Sequence, residues 1–443
     1  MVHLYGPQAL DTARWPDSFW RASVTMPPPC APLQGSARAD VAIIGAGYAG
    51  LNAALELVER HGADVAVLEA GQPGWGASGR NGGFCCAGSS KLSMAQITRR
   101  IGAGGADAFA AFQLASIDRV ADNLHRYGID ADKGPDGEVQ LAHSHRARMQ
   151  MRRDAAADDT VLTPTQLHAR GMGGAAFAGG VYSAAGFSLH PMKYALGLAQ
   201  AAQRAGVRLW GDSRVHALHP SAGGWTLQTD SGTVQAGRVL IATNGYTDES
   251  LPGWLRGRIL PVISTILVTR PLSQAEQAAQ GWTSRVMAYD SRRLLHYFRL
   301  LPCGRFLFGA RGGFSCDPAA LDSYQRRARR DFEQMFPGFA TADTDHAWSG
   351  LVCLTSALAP FAGAVPGAPG LHAALGWHGN GVAAASEAGR RIAADLTGGR
   401  AVARIPDLLR RPPPRIPVPR RLALQVGMAF AQWRDGPLRT GAR

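Results

Sequence analysis

The sequence predicts an α/β fold that combines a parallel sheet flanked by helices with a second, strand-rich part. Three observations support this prediction. Residues 39–69 read as strand, helix and strand, which is a βαβ unit of about thirty residues. Residues 257–314 contain short apolar strands separated by Pro and Gly turns. Residues 371–396 repeat the order of strand, glycine cluster and helix.

The first βαβ unit has a clear pattern in each element. Residues 39–45 are a continuous apolar run, which is typical of a strand buried in a parallel sheet. Residues 51–60 carry apolar side chains at helical spacing, and Gly62 stands where a helix would end. Residues 64–69 form the next strand of the unit.

The remaining elements follow from the same kinds of pattern. Further helices are predicted at 101–128, 145–172 (with a break at Pro164), 191–205, 320–336 and 383–396. Further strands are predicted at 137–143, 207–210, 225–229, 238–243, 263–269, 294–300, 305–309 and 371–375. Residues 1–38 look like a leader arm with aromatic side chains that pack onto the following domain, and residues 422–433 are moderately amphipathic.

Length and composition exclude several classes of protein. The chain has 443 residues, enough for two to three domains. Its content of 46% hydrophobic and 18% charged residues is ordinary for a globular protein and excludes disorder for most of the chain. The formal net charge is +13, but only three of the 46 basic residues are lysines. Dispersed arginines of this kind argue against a nucleic-acid footprint, which would be clustered.

The cysteines and the N-terminus bear on the compartment. The six cysteines form no CxxC motif and no zinc-finger spacing with histidine, so we expect free thiols, no metal site and a reducing, cytoplasmic location. The first residues have neither a basic nor an apolar signal region, so no secretory signal is expected. The apolar run from Val41 to Val58 is interrupted by glycines, Asn52 and Glu56 and makes a poor membrane span.

A glycine motif at the end of the first strand predicts a dinucleotide site. Gly45 permits the tight turn, Gly47 lets the backbone approach a pyrophosphate, and Gly50 lets the helix pack close to the strand. The helix N-terminus adds unpaired N–H groups for the phosphates. Glu69 stands 19 residues beyond Gly50 and can accept hydrogen bonds from an adenosine ribose, which disfavours NADP.

Three later segments extend this predicted site. Residues 71–83 (GQPGWGASGRNGG) form a glycine-rich loop suited to wrapping a second phosphate and a ring system. Residues 240–245 are a buried strand that ends in a small polar turn. Residues 376–382 (GWHGNGV) open a second helix N-terminus suited to an anion or a polarised carbonyl. Together they suit one extended cofactor held by a domain that is discontinuous in sequence.

With these segments assembled, the chain resembles the FAD-dependent oxidoreductases of the D-amino-acid oxidase (DAO) family, and within it the gamma-glutamylputrescine oxidoreductase group. The resemblance covers nearly the whole chain. It is carried by the aromatic arm at 18–20, LHP at 189–191 and the segments DVAIIGAGYAGL, LEA, ASGRNGGF, IATNGYT, RFLFGARGG and WSGLVCLT through GWHGNGV.

The resemblance implies two domains, each assembled from separated segments. A Rossmann-like, doubly wound FAD-binding domain is expected from residues 39–100, 181–255 and 345–400. A substrate domain, whose mixed and mainly antiparallel sheet roofs the flavin, is expected from residues 101–180 and 256–344. Residues 1–38 then form an N-terminal arm, and residues 401–443 form a Pro- and Arg-rich tail.

The resemblance also implies which residues hold FAD. The glycine motif is expected to line the diphosphate, Glu69 to hold the ribose, the glycine-rich loop to approach the ribityl chain and isoalloxazine, and the second glycine cluster to approach the pyrimidine side of the flavin. The residues implied are Gly45, Gly47, Tyr48, Ala49, Gly50, Glu69, Ala70, Ser78, Arg80, Asn81, Gly82, Val215, Thr243, Asn244, Gly245, Gly376, His378, Gly379, Asn380, Gly381 and Val382.

The implied reaction removes a hydride from a C–H beside an amine nitrogen and yields an imine that water hydrolyses. The flavin supplies the redox chemistry, so the chain has to orient a neutral amine rather than provide a strong base. A tyrosine or histidine can orient the amine, and an arginine can clamp a carboxylate with two bonds. Alternation along the strand puts neighbours 296 and 297 on opposite faces. The catalytic candidates are His296, Tyr297, Arg299 and Arg311.

Two departures from relatives leave the electron acceptor and the mode of flavin attachment open. Sarcosine-oxidase-like relatives place a lysine near the flavin for reaction with oxygen, and the strand 305–309 offers none. The acceptor is therefore O2 or another, unidentified oxidant. Cys353 stands roughly where some relatives attach the flavin covalently, but the favoured interpretation is a small core cysteine.

Two other functions compete with oxidation of a small-molecule amine. One uses the same flavin site on an aminomethyl group of a tRNA base, where positive charge would help; the dispersed arginines disfavour it, and no nucleic-acid partner is expected. The other is a membrane-surface enzyme that reduces a quinone or partner protein, with the arginines of 404–421 and the stretch 422–433 touching anionic lipid. A tail packed on the body of the protein is favoured over that membrane contact.

Overall fold

The computed structural model describes residues 2–173, 177–399 and 403–438. Its strands, in chain order, are β1 (Gly35–Ile44), β2 (Val65–Leu68), β3 (Phe84–Cys85), β4 (Asp136–Leu141), β5 (Thr160–Leu162), β6 (Gly180–Ser188), β7 (Arg208–Trp210), β8 (Ala217–Ser221), β9 (Gly224–Gln228), β10 (Gly232–Ile241), β11 (Ile259–Pro271), β12 (Met287–Asp290), β13 (His296–Leu300), β14 (Arg305–Arg311), β15 (Thr344–Thr355), β16 (Phe361–Ala364) and β17 (Leu371–Leu375). Its helices are α1 (Phe19–Ala22), α2 (Tyr48–His61), α3 (Met94–Arg126), α4 (His145–Asp154), α5 (Pro164–Ala169), α6 (Pro191–Arg204), α7 (Gln274–Gln280), α8 (Pro318–Met335), α9 (Gly381–Thr397), α10 (Asp407–Arg410) and α11 (Arg420–Asp435).

The first sheet has the strand order β16-β17-β10-β1-β2-β7. The strands from β17 to β7 pair in parallel, and β16 joins the edge in an antiparallel pair. The hairpin of β8 and β9 extends the sheet from the first half of β10. Buried side chains of α2, α3, α6 and α9 form a common core with β1 and β2 on one face. The predicted βαβ unit and parallel sheet are therefore confirmed.

The second sheet has the order β15-β11-β14-β13-β12-β4-β6-β3, and β5 also pairs with β6. Its pairs are antiparallel except for the parallel pair of β12 and β4, which confirms the mixed, mainly antiparallel sheet. One face packs on α8, where Phe298, Phe306 and Phe308 meet Phe332 and Phe336 in an aromatic core. The opposite face is free of α8 and lines a cavity described below.

Three strands from the segments expected in the FAD-binding domain pair in the second sheet. The expected segments are residues 39–100, 181–255 and 345–400, but β6 pairs with β3, β4 and β5, and β15 pairs with β11. The strands β3, β6 and β15 therefore belong to the second sheet. Pairing of this kind joins residues far apart in the chain, so the local pattern of these strands carries no mark of their sheet.

The predicted elements differ from the observed ones mainly at their ends. The helical stretch 145–172 is two helices, α4 and α5, with the short strand β5 between them. The first strand begins at Gly35 rather than Ala39, because its first residues pair with the start of β10 from Gly232. The N-terminal arm packs on the body as expected: Trp20 is buried, and its indole N–H donates to the carbonyl of Asn81 at 2.8 Å.

The described part of the C-terminal tail is also attached to the body. Leu424, Met428 and Ala431 of α11 are buried, and the guanidinium of Arg420 pairs with the buried carboxylate of Glu249 at 2.7 Å. Residues 401–402 and 439–443 of the predicted tail lie outside the described residues. Within the described ranges, the structure contains no helix whose length and apolar content would allow it to cross a bilayer.

Candidate active site

A first cavity opens at the carboxyl end of β1, where the glycine motif leads into α2. Gly45 has a φ of +106°, a conformation that side chains other than glycine rarely adopt. A Cβ added at Gly50 would lie 2.1 Å from the carbonyl oxygen of Gly45, so only glycine permits this approach of the helix to the turn. The motif therefore acts here as its spacing predicts.

The N-terminus of α2 borders this cavity through Gly47, Tyr48 and Ala49. Gly47 is the N-cap residue and has no side chain to cap the helix. The Tyr48 N–H donates to the hydroxyl of Ser78 at 3.1 Å, which ties the glycine-rich loop to the helix start. The Tyr48 hydroxyl donates to the Ser78 carbonyl at 2.7 Å. An anionic group bound here would meet the positive end of the helix dipole.

Glu69 stands at the end of β2 beside the glycine motif. Its carboxylate accepts from the N–H of Ala46 at 2.8 Å and from the N–H of Gly71 at 3.0 Å. Burial raises the pKa of Glu69, and these two N–H groups and the charge of Arg214 act in the opposite direction. Each carboxylate oxygen has room for further donors, which is what a ribose diol would supply.

A second helix start faces the same cavity from the other side. Asn380 caps α9 without a side-chain bond to the helix, and its amide instead donates to the carbonyls of Ala87 and Gly88, both at 2.7 Å. Asn244, which follows β10, accepts from the N–H of Gly376 at 2.9 Å and so joins the two segments. The two predicted phosphate-type helix starts thus open into one cavity.

Most of the residues implied for FAD line the two cavities. Those at the first cavity are Gly45, Gly47, Tyr48, Ala49, Glu69, Ala70, Ser78, Asn81, Val215, Thr243, Asn244, Gly379, Gly381 and Val382. Arg80, Gly82 and Asn380 instead line the second cavity.

The described structure does not place Gly50, Gly245, Gly376 or His378 at the wall of either cavity. The three glycines allow close backbone approach nearby instead. His378 is fully buried at a φ of +53° and faces Thr355, with its Nε2 3.4 Å from that residue's hydroxyl oxygen. Burial, followed by the charge of Lys91, lowers the pKa of His378 to about 3, so the ring is neutral. The expected place of His378 beside the flavin stays a prediction, although the residue lies outside the walls of both cavities.

The second cavity adjoins the first and encloses about 300 Å³. It lies on the face of the second sheet opposite α8. Tyr297 pairs with Gly309 on one side and with Tyr289 on the other, so these residues form one row across the sheet. The two cavities share the lining residues Ala77, Asn81, Leu351, Val352, Gly379 and Val382, so a ligand of the first cavity would border the second.

Tyr297 and Arg311, two of the catalytic candidates, line this second cavity. The Tyr297 hydroxyl is 2.9 Å from the hydroxyl of Ser264, and burial raises the pKa of the phenol, which keeps it neutral. Arg311 is half-buried, its buried Nε has no hydrogen-bond partner, and no carboxylate of the described residues pairs with its guanidinium. Burial lowers the pKa of Arg311, but an arginine stays cationic at neutral pH.

His296 and Arg299 are not among the described residues that line the cavities, and the catalytic role expected for both stays a prediction. His296 points to the other face of the sheet, where its ring stacks on Phe308 and its Nδ1 lies 2.8 Å from Asp290. Arg299 shares the face of Tyr297 but lies further along β13, where it donates to the carbonyl of Leu189 at 2.7 Å. His296 faces away from the cavity because successive side chains of a strand alternate between its two faces. Arg299 does not line the cavity because its guanidinium is bound to the carbonyl of Leu189 instead.

Four titratable residues of the second cavity are not among the predicted site residues: Cys86, Lys91, Glu138 and Tyr289. Lys91 keeps part of its surface exposed, and desolvation followed by the charge of Arg311 lowers its pKa to about 8. Glu138 lies on β4, two residues before Gln140, which is in the row of Tyr289. The sequence signal for Glu138 was an acidic residue inside an alternating strand.

Comparison with known proteins places the chain in one family, whose model matches most of its length. The model of the DAO family, described as FAD dependent oxidoreductase, matches residues 40–395. A probable oxidoreductase OrdL of Haemophilus influenzae is 31% identical over 377 residues, which are 83% of this chain and 85% of the relative. The gamma-glutamylputrescine oxidoreductase of Escherichia coli is 28% identical over 387 residues, 86% of this chain and 89% of the relative.

Solved structures share the fold at lower identity. Glycine oxidase from Geobacillus kaustophilus superposes with a TM-score of 0.66 at 23% identity and covers 83% of this chain and 96% of its own. L-proline dehydrogenase from P. horikoshii superposes with a TM-score of 0.67 at 18% identity and covers 84% of this chain and 96% of its own. These neighbours support the predicted fold class.

Proposed function

Because the chain belongs to the DAO family of FAD-dependent oxidoreductases, we propose that it oxidises a C–N bond of an amine that carries a carboxylate, and that Arg311 binds this carboxylate. The chain is an FAD-dependent enzyme that acts on amines or amino acids. Its particular substrate and the roles of its residues are the subject of the proposal.

The residues around the first cavity fit FAD. Two helix starts without side-chain caps face it, the close approach at Gly50 leaves no room for a Cβ, and Glu69 has acceptor capacity left for a ribose. The glycine motif and the start of α9 would hold the diphosphate and the flavin end, respectively. When bound, FAD supplies the acceptor for the hydride that leaves the carbon beside the amine nitrogen.

The observation that carries the proposal is the unpaired guanidinium of Arg311. A buried charge without a partner costs free energy, so an anionic ligand at this place recovers what the fold leaves unsatisfied. Gly379 makes room for the arginine, since a Cβ there would lie 2.4 Å from its Nη2. Gly379 also borders both cavities, so a carboxylate on Arg311 is held near the place where the cavities meet.

Tyr297 completes the proposed site. Its neutral phenol, held by Ser264, can donate to or accept from the substrate amine and so orient the C–H that reacts. Phe84, Leu295 and Leu351 give the cavity apolar walls that limit water around the reacting bond. The imine formed from the amine is then hydrolysed by water.

The named relatives support an amine with a carboxylate. The Escherichia coli relative acts, by its name, on gamma-glutamylputrescine, which carries both groups, and glycine oxidase acts on an amino acid. We propose a substrate of that class for this enzyme.

Anaerobic bleaching of the flavin tests the proposal. Purified holoenzyme is mixed with a panel of amino acids, N-alkyl amino acids and the corresponding amines without carboxylate, and the flavin absorbance is followed. We expect bleaching by members that carry a carboxylate. Readmission of air then separates an oxidase, which recolours quickly, from a dehydrogenase, which does not.

Substitution of Arg311 tests the role of that residue. Arg311→Met removes the only group proposed to bind the carboxylate, so we expect kcat/KM for carboxylate substrates to fall about 30- to 1000-fold, corresponding to roughly 2–4 kcal/mol for a buried charged bond. The control Arg60→Met changes an exposed arginine at the end of α2. Unchanged kcat/KM in Arg311→Met, or bleaching by carboxylate-free amines alone, would contradict the proposal.

A second function is favoured by the surface of α11. This helix exposes an apolar row, in which Trp433 alone keeps 74% of its surface accessible, and exposed arginines flank it. A basic amphipathic surface of this kind suits an anionic membrane, where the enzyme would pass electrons to a membrane-bound quinone or partner protein. The row consists of Leu422, Val426, Phe430 and Trp433.

Vesicle binding tests this second function. Holoenzyme is floated with vesicles of phosphatidylserine and phosphatidylcholine or of phosphatidylcholine alone. Trp433→Asp should release the enzyme from the anionic vesicles, whereas the control Gln432→Asp, which adds the same charge beside the row, should release it less. Absence of binding to anionic vesicles by the unaltered enzyme would exclude this function.

A further inference from the structure

The second cavity contains a half-buried acid that the proposed chemistry does not use. Glu138 lines the cavity from β4. Its Oε2 is buried and has no hydrogen-bond partner. Among the described residues, no lysine, arginine or histidine forms an ion pair with its carboxyl group. A buried oxygen atom without a donor is rare in folded proteins, so Oε2 has acceptor capacity left for a ligand.

Among the described residues no ion pair to Glu138 forms, although the ammonium group of Lys91 lines the same cavity. Burial raises the pKa of Glu138 to about 7, the thiol of Cys86 partly offsets this by hydrogen bonding, and the charge of Asp159 adds to the increase. Tyr289 stands two strand positions away on β12, and burial keeps its phenol neutral. A cation placed against this carboxyl group would stabilise its ionised form.

Glu138 also lies away from the place where the cavities meet. The residues shared by the two cavities come from the glycine-rich loop, from β15 and from the start of α9, and none of them lies on β4. Arg311 is on β14, and β13 and β12 stand between it and β4. Three strand intervals correspond to roughly 14 Å. The carboxyl group of Glu138 therefore marks the end of the cavity remote from the reacting bond.

From this arrangement we propose that Glu138 binds a second, cationic nitrogen of the substrate, remote from the C–N bond that is oxidised. The substrate is then an extended molecule with a carboxylate at the Arg311 end and an ammonium group at the Glu138 end. This inference rests on the proposed function and narrows its substrate class. Glu138 acts as a specificity-determining residue.

Matched pairs of probes test the role of the second nitrogen. Lysine and norleucine differ by the ω-ammonium group, as do ornithine and norvaline, and each is used as both enantiomers. The oxidised holoenzyme is titrated anaerobically at about pH 8, and the half-saturating concentration is read from the change or bleaching of the flavin spectrum. We expect at least one cationic probe to bind about tenfold or more tightly than its neutral match, as a charge-assisted hydrogen bond predicts.

Three variants separate recognition from structure. Glu138→Gln should lose the preference for the cationic probe, to within about twofold, and keep its affinity for the neutral match. Glu138→Asp should keep part of the preference, because it retains the charge. The control Asp136→Asn makes the same chemical change on the same strand, at an exposed carboxylate that pairs with Lys133 at 2.6 Å, and should keep the preference in full.

The outcomes that overturn the inference differ from those that overturn the proposed function. The inference fails if the unaltered enzyme binds cationic and neutral probes equally or binds no cationic probe. It also fails if Glu138→Gln, folded and with FAD bound, weakens both members of a pair alike. The proposed function fails instead if the carboxylate is unnecessary, so that Arg311→Met leaves the affinity for all probes unchanged.

Discussion

Replacing Gly50 with alanine tests how closely α2 must approach the turn after β1. The added Cβ would lie 2.1 Å from the carbonyl oxygen of Gly45 and 3.1 Å from Cγ2 of Ile43. A comfortable C···O contact is about 3.4 Å, so the helix start must move by roughly 1 Å. Overpacking of this kind costs about 1–3 kcal/mol. Because the same movement displaces the N–H groups that face the cavity, we expect FAD to bind about 5- to 150-fold more weakly.

The assay combines cofactor affinity with stability. The dissociation constant of FAD is measured by fluorescence titration of the apoprotein, and the melting temperature is measured with and without FAD. The control is Gly104→Ala in α3, where an added Cβ meets nothing within 4 Å; alanine there should leave FAD binding unchanged and raise the stability by up to about 1 kcal/mol. Wild-type FAD affinity in the Gly50→Ala protein would refute the close-approach reasoning.

Two further predictions concern the second sheet. Gly309→Ala would place a Cβ 2.1 Å from Cζ of Tyr297 and so displace its ring. We therefore expect turnover to fall at least tenfold while the affinity for FAD is kept. Unchanged steady-state kinetics would contradict this. Burial acts to lower the pKa of His296, but Asp290 and then Asp331 raise it from 6.5 to about 9. The protonated His296 therefore contributes of order 3 kcal/mol to the free energy of unfolding. This contribution is complete below about pH 6.5 and is lost as the pH rises through about 9. Urea unfolding at several pH values should show this loss in the unaltered protein and not in His296→Phe; a loss of equal size in both would exclude the ion pair as its cause.

The parts of the fold that the sequence predicts are those with local causes. The turn at Gly45, the helix start at Gly47 and the acid at Glu69 lie in one continuous βαβ unit, so their spacing alone defines their arrangement. The mixed sheet was expected from the family resemblance, and its composition from β6 and β15 was not. Those strands pair with partners far away in the chain, and nothing in their own residues distinguishes one sheet from the other.

The side chains that line the second cavity are likewise only partly predictable from the local sequence. Alternation correctly separates His296 from Tyr297, because successive residues of a strand face opposite sides. Alternation cannot predict which of Arg299 and Tyr297 lines the cavity, because the two share a face of the strand. Arg299 does not line it because its guanidinium contacts the carbonyl of Leu189. Glu138 was missed because its importance comes from strands brought together by tertiary folding. The roles assigned to Tyr297 and Arg311 stay predictions until the variants are measured.

Arg311 and the ionised form of Glu138 carry opposite charges in the second cavity, yet the fold keeps them apart. If Arg311 and Glu138 formed an ion pair, each would be satisfied without a ligand, and the cavity would discriminate by shape alone. The two strands between them prevent this, so the free energy of two incompletely satisfied buried groups remains in the ligand-free protein. A ligand with only one charge satisfies one group and leaves the other. A ligand with both charges at the matching distance satisfies both at once, so charge separation rather than size should decide which amine this enzyme oxidises.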